Sequence, residues 1–210
     1  SHELRTPITV ILAECDRAKR KAHTREDFLE SVGVIEQQGE HMSQLVQELL
    51  GLTRMQHGTD KYPMKRINMS DFVCSCCEEC PPPAESNAVL KLDIQPDVEA
   101  SVNAGLMSRV IVNLLQNAYK YGGRNAEIGV SLHGRGRGGF ILSVSDNGPG
   151  IPAEYQDKVF QRFWQADPSR SEDGGCGLGL AMVSEIARFH GGSVSLKSAP
   201  GEGSTFSVII

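Results

Sequence analysis

Apolar residues in the first 56 positions recur at alternating steps of four and three, interrupted by one polar break. Leu4, Ile8, Ile11, Cys15, Ala18 and Ala22 form the first run. Phe28, Val32, Ile35, Gly39, Met42, Val46 and Leu49 form the second, widened by Leu45 and Leu52. A helix brings such positions onto one stripe, and the alternation is that of a coiled-coil seam. The break falls near His23-Thr24, where Thr24 is the expected N-cap of the second helix and Asp27 stands three residues on. Two helices joined by so short a turn form a hairpin whose apolar stripe stays partly in water. Two hairpins combined into a four-helix bundle would cover it, so the pattern predicts a homodimer.

Residues 57–66 lose the heptad and carry Gly58 and Pro63, which reads as a linker between a 1–56 hairpin and a 67–210 domain. Beyond it the element types mix. A helix near 70–80 is stopped by Pro81-Pro82-Pro83, and strand-like alternation follows at 89–94. A long helix is expected at 105–121, strands at 126–133 and 139–146, and a helix at 178–189 after a Gly-rich stretch. Strands at 193–198 and 204–210 close the chain. Such a mixture predicts an α+β class, with an α/β sandwich following the helical hairpin.

Composition narrows the functions available. Of 210 residues, 40% are hydrophobic and 22% charged, a globular balance. The net charge of −5 gives no electrostatic reason to expect nucleic acid. No stretch approaches the ~18 apolar residues that span a bilayer. The chain begins with Ser1 and carries no secretory signal, so it reads as a soluble fragment of a longer protein, with a cytoplasmic location expected for the fragment. A membrane would enter only through missing parts of that parent. Cys74, Cys76, Cys77 and Cys80 cluster in the manner of a metal site. With Phe72 and Val73, however, Cys76, Cys77 and Cys80 follow a helical period, and no second Cys/His couple is evident. Core or partly exposed thiols in a reducing compartment are therefore expected.

Residues with chemistry begin at Ser1-His2-Glu3-Leu4-Arg5-Thr6-Pro7. If Leu4 and Ile8 belong to the seam, His2 and Glu3 face solvent, and Thr6 shares a face with His2 one turn on. An exposed imidazole beside a carboxylate is a nucleophile with a proton acceptor, or simply a solvated helix face. Pro7 leaves carbonyls near residue 3 without their helical donor, which predicts a kink there. In the long helix Asn113, Asn117, Lys120 and Tyr121 follow at steps of four, three and one. They edge the apolar arc of Leu106, Val110, Leu114 and Ala118. Amide oxygens suit Mg²⁺ and an ammonium suits phosphate, so this edge is either a metal-phosphate rim or a plain polar border.

The strand from Phe140 continues its inward face at Asp146, where a carboxylate must find a donor. Gly148 and Gly150 then turn the chain sharply beside it. An exocyclic amine, as on adenine, is one such donor, and a capping turn is the plainer reading. Gly174-Gly175-Cys176-Gly177-Leu178-Gly179-Leu180 opens into a helix and exposes N–H groups to an anion, without the Lys-Ser/Thr of a P-loop. Gly134, Gly136 and Gly139 satisfy GxGxxG, but they fall between two expected strands and read as a hairpin connection. Phe160-Gln161-Arg162-Phe163-Trp164 precedes a polar stretch at 167–173, the composition of an anchored lid or of core aromatics before a loop.

In order, Ser-His-Glu-Leu-Arg-Thr-Pro, Asn-Leu-Leu-Gln-Asn-Ala-Tyr-Lys-Tyr, Asp-Asn-Gly-Pro-Gly-Ile, Phe-Gln-Arg-Phe and Gly-Cys-Gly-Leu-Gly-Leu resemble the successive boxes of bacterial sensor histidine kinases. The resemblance runs from Ser1 to Ile210 and takes in Gly201-Glu202-Gly203-Ser204-Thr205-Phe206. It implies a dimerising phosphoacceptor hairpin followed by an ATP-binding sandwich of the gyrase and Hsp90 type. It implies ATP and Mg²⁺ as cofactors, and as partners a second copy and a response regulator receiver domain. By position, His2 resembles the phosphoacceptor, Glu3 its proton acceptor, and Thr6 the residue that assists dephosphorylation of the partner. Asn117 resembles the Mg²⁺ ligand, with Asn113 and Lys120 toward the phosphates and Tyr121 against the nucleotide. Asp146 resembles the adenine reader, with Gly148 and Gly150 shaping its pocket. Gly175, Gly177, Leu178 and Gly179 resemble the phosphate wrap, and Arg162 reaches in from the lid. The chain departs from the pattern at Cys176, where Thr is frequent, and at Asn103, a capping change from Asp.

Rival readings are a nucleotide-binding dimerisation module without transfer, and a gyrase-like or chaperone ATPase. His2-Glu3 with Thr6-Pro7 serves neither. The ATPase also expects a Glu near the first Asn of the long helix, where this chain has Asn113 and Gln116.

Overall fold

A computed structural model describes residues 2–20, 24–57, 62–166 and 177–210. The described chain divides into two compact units, one ending at Arg54 and the other made of Met55–Ala166 with Gly177–Ile210.

The first unit is a hairpin of α1 (His2–Arg20) and α2 (Arg25–His57). Thr24 and Asp27 cap α2 reciprocally: Asp27 N–H donates to Thr24 Oγ1 and Thr24 N–H to Asp27 Oδ2, both at 3.1 Å. Such a capping box satisfies two donors that the first turn leaves orphaned. Arg17 fastens the helices together. Its Nε donates to Ser31 Oγ at 3.1 Å and its Nη2 to Glu30 at 2.7 Å, while Glu14 lies 3.1 Å from Nε. Pro7 lies within α1 and is buried. Ile8, Leu12, Phe28, Leu29, Val32, Val46 and Leu50 are exposed in the single chain, Leu12 by 65%. Four of these, Ile8, Phe28, Val32 and Val46, belong to the expected seam.

The second unit is a sheet with helices against it. A ribbon of β1 (Lys65–Asn68) and β3 (Glu99–Val102) pairs antiparallel, Arg66 opposite Ser101. The main sheet runs β2 (Val89–Ile94), β4 (Glu127–Gly136), β5 (Gly139–Asp146), β7 (Ser204–Ile209), β6 (Ser193–Ser198). Only β2 and β4 are parallel within it. Between the strands come α3 (Met69–Glu79), α4 (Ala104–Gly122), the short α5 (Ala153–Gln156) and α6 (Gly179–Phe189). The core forms where α4 offers Leu106, Val110, Leu114 and Ala118 and the sheet offers Ile128, Val130, Phe140, Leu142 and Val144, all buried. The outward residues alternate as polar, and Ser143 Oγ meets Ser207 Oγ at 2.8 Å across β5 and β7.

Main elements fall within two or three residues of their expected bounds, and the structure adds two strands to them. Strand β1 opens at Lys65, inside the expected linker, and β3 lies between the expected strand at 89–94 and the expected helix at 105–121. Each has four residues, too few to establish a period, and each exists through its partner. The Gly134–Gly139 run is the β4–β5 hairpin connection with a bulge. Cys76 and Cys77 are buried in α3, and burial pushes the Cys77 thiol up to about 12. Among the described residues no group of three or more His, Cys, Asp or Glu could hold a metal ion. No described helix is long and apolar enough to cross a membrane.

Candidate functional site

Helix α4 is the spine of the site. It starts at Asn103, whose Oδ1 accepts the Leu106 N–H at 3.0 Å, so the Asp-to-Asn change keeps the cap. At its far end Gly122 lies close to Asp146, where a Cβ would sit 3.8 Å from that of Asp146. Between Asn113 and Gly122 the axis advances about 14 Å at 1.5 Å per residue. Asn113 stands at one end of this span and Asp146 at the other.

Asp146 closes β5 and is half-buried. The Gly148 N–H donates to its Oδ1 at 2.9 Å. Burial raises its pKa above the ordinary carboxylate value, and the Gly148 and Ser204 backbone N–H groups pull in the opposite direction. The turn beyond it is packed backbone to backbone. A Cβ on Gly148 would sit 2.5 Å from Tyr121 O. Gly150 has φ +70° and lies against Ala199 O, so only glycine suits that position. Gly201 N–H donates to Pro149 O at 2.7 Å, resting the turn on the β6–β7 connection. Asn147, quoted in the motif but given no role, has Oδ1 on the Glu127 N–H at 2.9 Å and so ties the turn to β4.

At the other end, α6 begins at Gly179 behind a buried Leu178, which makes no side-chain cap bond. Its leading N–H groups have no side-chain cap at Leu178, and the positive end of the helix dipole lies behind them. A Cβ on Gly179 would sit 2.7 Å from Asn113 Oδ1, so the two helices meet there only because the side chain is missing. Asn113 Nδ2 donates to Arg109 O at 2.8 Å, which commits the nitrogen and leaves the oxygen beside Gly179. Half-buried Asn117 stands one turn on. Two amides beside a glycine-lined helix start fit a hard divalent cation carried with a phosphate chain. Lys120 is exposed, with Nζ 5.7 Å from the centre of the Tyr121 ring. Tyr121 is 55% exposed, and burial of the rest raises its pKa.

Arg162 is exposed in the turn after α5. Its neighbour Phe163 has φ +65° and donates its N–H to Gly177 O at 2.9 Å, while Gly177 itself has φ +66°. This bond joins Phe163 to Gly177. Gly175 and Cys176 lie outside the described residues, as do the side chains of His2 and Glu3; the backbone of those two begins α1. Thr6 is exposed on the same helix. An open cleft of about 830 Å³ lies at the opposite end of β5, against Gly134 and Gly139. It holds none of these residues.

A carboxylate corner at one end of α4 and a glycine-led helix start at the other are features suited to a nucleotide. Residues 103–210 match the model of the histidine kinase-, DNA gyrase B-, and HSP90-like ATPase family, and residues 1–58 that of the His Kinase A (phospho-acceptor) domain. The chain belongs to this ATPase family and, with its phospho-acceptor domain, is the catalytic core of a two-component sensor histidine kinase. It is 30% identical to the signal transduction histidine-protein kinase AfsQ2 of Streptomyces coelicolor, over 99% of this chain and 40% of that protein. It is 32% identical to the sensor protein KdpD of Escherichia coli, over 100% of this chain and 23% of that one. It thus spans less than half the length of these relatives. In fold it is similar to the Acinetobacter baumannii histidine kinase AdeS, with TM-score 0.76 at 23% identity over 100% of this chain and 97% of the other. It is equally similar, at TM-score 0.76 and 22% identity, to a histidine kinase ThkA solved in complex with a response regulator protein, covering 100% of this chain and 58% of that one.

Proposed function

We propose that the chain phosphorylates His2 from ATP and passes the phosphoryl group to an Asp on a response regulator receiver domain. The observation that carries this reading is the pair of sites along α4: a carboxylate corner at Asp146 and, about 14 Å away, the glycine-led start of α6. Adenine and triphosphate fit those two ends. Asp146 accepts the exocyclic amine, with Gly148 and Gly150 shaping the wall beside it and Tyr121 covering the nucleotide. Gly175, Gly177, Leu178 and Gly179 wrap the phosphates, joined by Asn113, Lys120 and, from the 164–176 side, Arg162. Asn117 would hold Mg²⁺, whose charge neutralises the phosphate oxygens when bound.

The transfer itself needs alignment more than covalent help. A neutral His2 ring nitrogen attacks the γ-phosphorus in line; the N–P bond forms as the bond to the β-bridging oxygen breaks and ADP leaves. Glu3 holds the other ring nitrogen or takes its proton. Run toward hydrolysis of the regulator's phosphoaspartate, Glu3 and Thr6 would position the water. In this reading residues 1–56 dimerise and carry His2, residues 57–66 link, and residues 67–210 bind ATP. The exposed seam residues of the hairpin support dimerisation, since a second copy would bury them. ATP is an intracellular donor, which places this fragment in the cytoplasm.

The test is incubation with Mg²⁺ and γ-labelled ATP beside a His2→Gln variant. Label that survives base, is lost in acid and is absent from the variant is the expected result. Label retained by the variant, or no label in a chain that binds ATP, would reject transfer to His2.

A further inference from the structure

The turn after Asp146 is held by two side chains that none of the family boxes names. Ser198 ends β6 where three backbone segments meet. Its Oγ accepts the Ile151 N–H at 2.8 Å and donates to Gly203 O at 2.7 Å, and Ser204 Oγ lies 3.0 Å away. A hydroxyl has one proton to give. With that proton on Gly203, the Ser204 hydroxyl must be the donor to Ser198, so the Ser198 hydroxyl has its proton and both lone pairs engaged within the protein. It has none left for a nucleotide. Gln156 on α5 makes a second brace, its Nε2 donating to Ile151 O and to Ser198 O, each at 2.9 Å.

These contacts converge on one carboxylate. Ile151 closes the turn that begins at Asn147. Gly203 and Ser204 lead into β7, where Ser204 pairs with Asp146 across the sheet. The Gly148 N–H, from the turn, donates to the Asp146 carboxylate at 2.9 Å, and Ser204, on the strand, is the backbone partner of Asp146 across the sheet. Ser198 therefore ties the turn that holds the carboxylate to the strand that pairs with its backbone. Removing its hydroxyl takes the partner from the Ile151 N–H and from the Gly203 carbonyl together, and leaves the Gly201–Pro149 bond to hold the turn against the β6–β7 connection.

We propose that Ser198, braced by Gln156, is the positioning residue for base recognition, fixing the Asp146 carboxylate at the spacing that an adenine amine requires. This rests on the ATP reading above and says which side chains set base preference within it.

The experiment compares binding of ATP and of purine riboside triphosphate, which lacks the 6-amino group, to the 210-residue chain with Mg²⁺. Wild type, Ser198→Ala, Ser198→Thr, Asp146→Ala and the Ser198→Ala/Asp146→Ala pair are measured. Wild type should prefer ATP. Ser198→Ala should lose about tenfold in ATP affinity, with purine riboside triphosphate changed by less than about twofold. Ser198→Thr restores the hydroxyl and should restore the preference, and the double variant should bind ATP no worse than Asp146→Ala. Equal weakening of both nucleotides by Ser198→Ala, or no weakening of ATP, overturns the proposal and leaves Ser198 a structural residue. If wild type binds neither nucleotide, or both alike, the ATP reading itself has failed, a result separable from the others because no variant enters it. Should Ser198→Ala not unfold cooperatively, Gln156→Met serves in its place and must show the same split between nucleotides.

Discussion

Asp146 carries its carboxyl group where burial disfavours charge. Its folded pKa is raised above the ordinary value, so between the two values the native state holds more protons than the unfolded chain. Stability therefore falls as pH rises through that window, and at neutral pH the desolvated carboxylate stands as a net cost. Asp146→Asn keeps an acceptor for the Gly148 N–H and removes the charge. We expect the variant to melt about 1–3 °C higher than wild type without nucleotide, measured by calorimetry at pH 7.5. The same variant should bind ATP about 10- to 100-fold more weakly, because a charge-assisted bond to the amine is lost. A lower melting temperature would mean that the carboxylate is net stabilising, contrary to the direction of its shift. Much of this corner is legible in the sequence: Asp146 ends an alternating strand, and Gly148 and Gly150 announce a tight approach. Ser198 and Gln156 are not, because Ser198 meets Ile151 47 positions away in sequence and Gln156 meets Ser198 across 42. No local period encodes such partners.

Among elements, the start of α4 and the end of α6 are joined through one imidazole. His190 Nε2 accepts the Asn103 N–H at 3.0 Å, and Nδ1 lies 2.8 Å from Ile186 O, which fixes a neutral tautomer with the proton on Nδ1. Asn103 Nδ2 in turn donates to Pro63 O at 3.0 Å, and Tyr62 meets the Phe189 ring at 5.9 Å. The residues just before β1 are thus tied to both helices. Burial lowers the His190 pKa, so the unfolded chain takes up the proton first. Its contribution is present above about pH 6.5 and is lost as pH falls toward the folded value. We expect the urea midpoint of Trp164 fluorescence to fall between pH 7.5 and 5.5, and to fall less in His190→Gln. Equal losses in both would assign the acid sensitivity elsewhere. Helices α4 and α6 were legible because each spans enough turns to show its stripe. This joint was not, since a lone His beside Gly191-Gly192 looks the same whether or not it meets a helix start 87 residues away.

For the whole molecule, the two units should differ in what their stability depends on. Helices α1 and α2 supply 19 and 33 residues, more than half of the described helical residues, so ellipticity at 222 nm weighs toward the hairpin. The single tryptophan, Trp164, belongs to the other unit. If the hairpin is stable only as a dimer, its unfolding obeys mass action, and a tenfold rise in protein concentration adds about 1.4 kcal/mol per mole of dimer. At typical urea slopes this moves the 222 nm midpoint up by roughly 0.5–1.4 M. The Trp164 midpoint should stay fixed under the same dilution and rise instead with Mg²⁺-ATP, because the proposed nucleotide site lies in that unit. Leu12→Glu places a charge on a residue beside the seam that is 65% accessible in the single chain and that the proposed second copy would bury. It should abolish the concentration dependence at 222 nm and leave the Trp164 curve in place. A 222 nm midpoint indifferent to concentration in wild type would reject the dimeric bundle. A Trp164 midpoint that tracks protein concentration would instead show that the catalytic unit relies on the hairpin for its own folding.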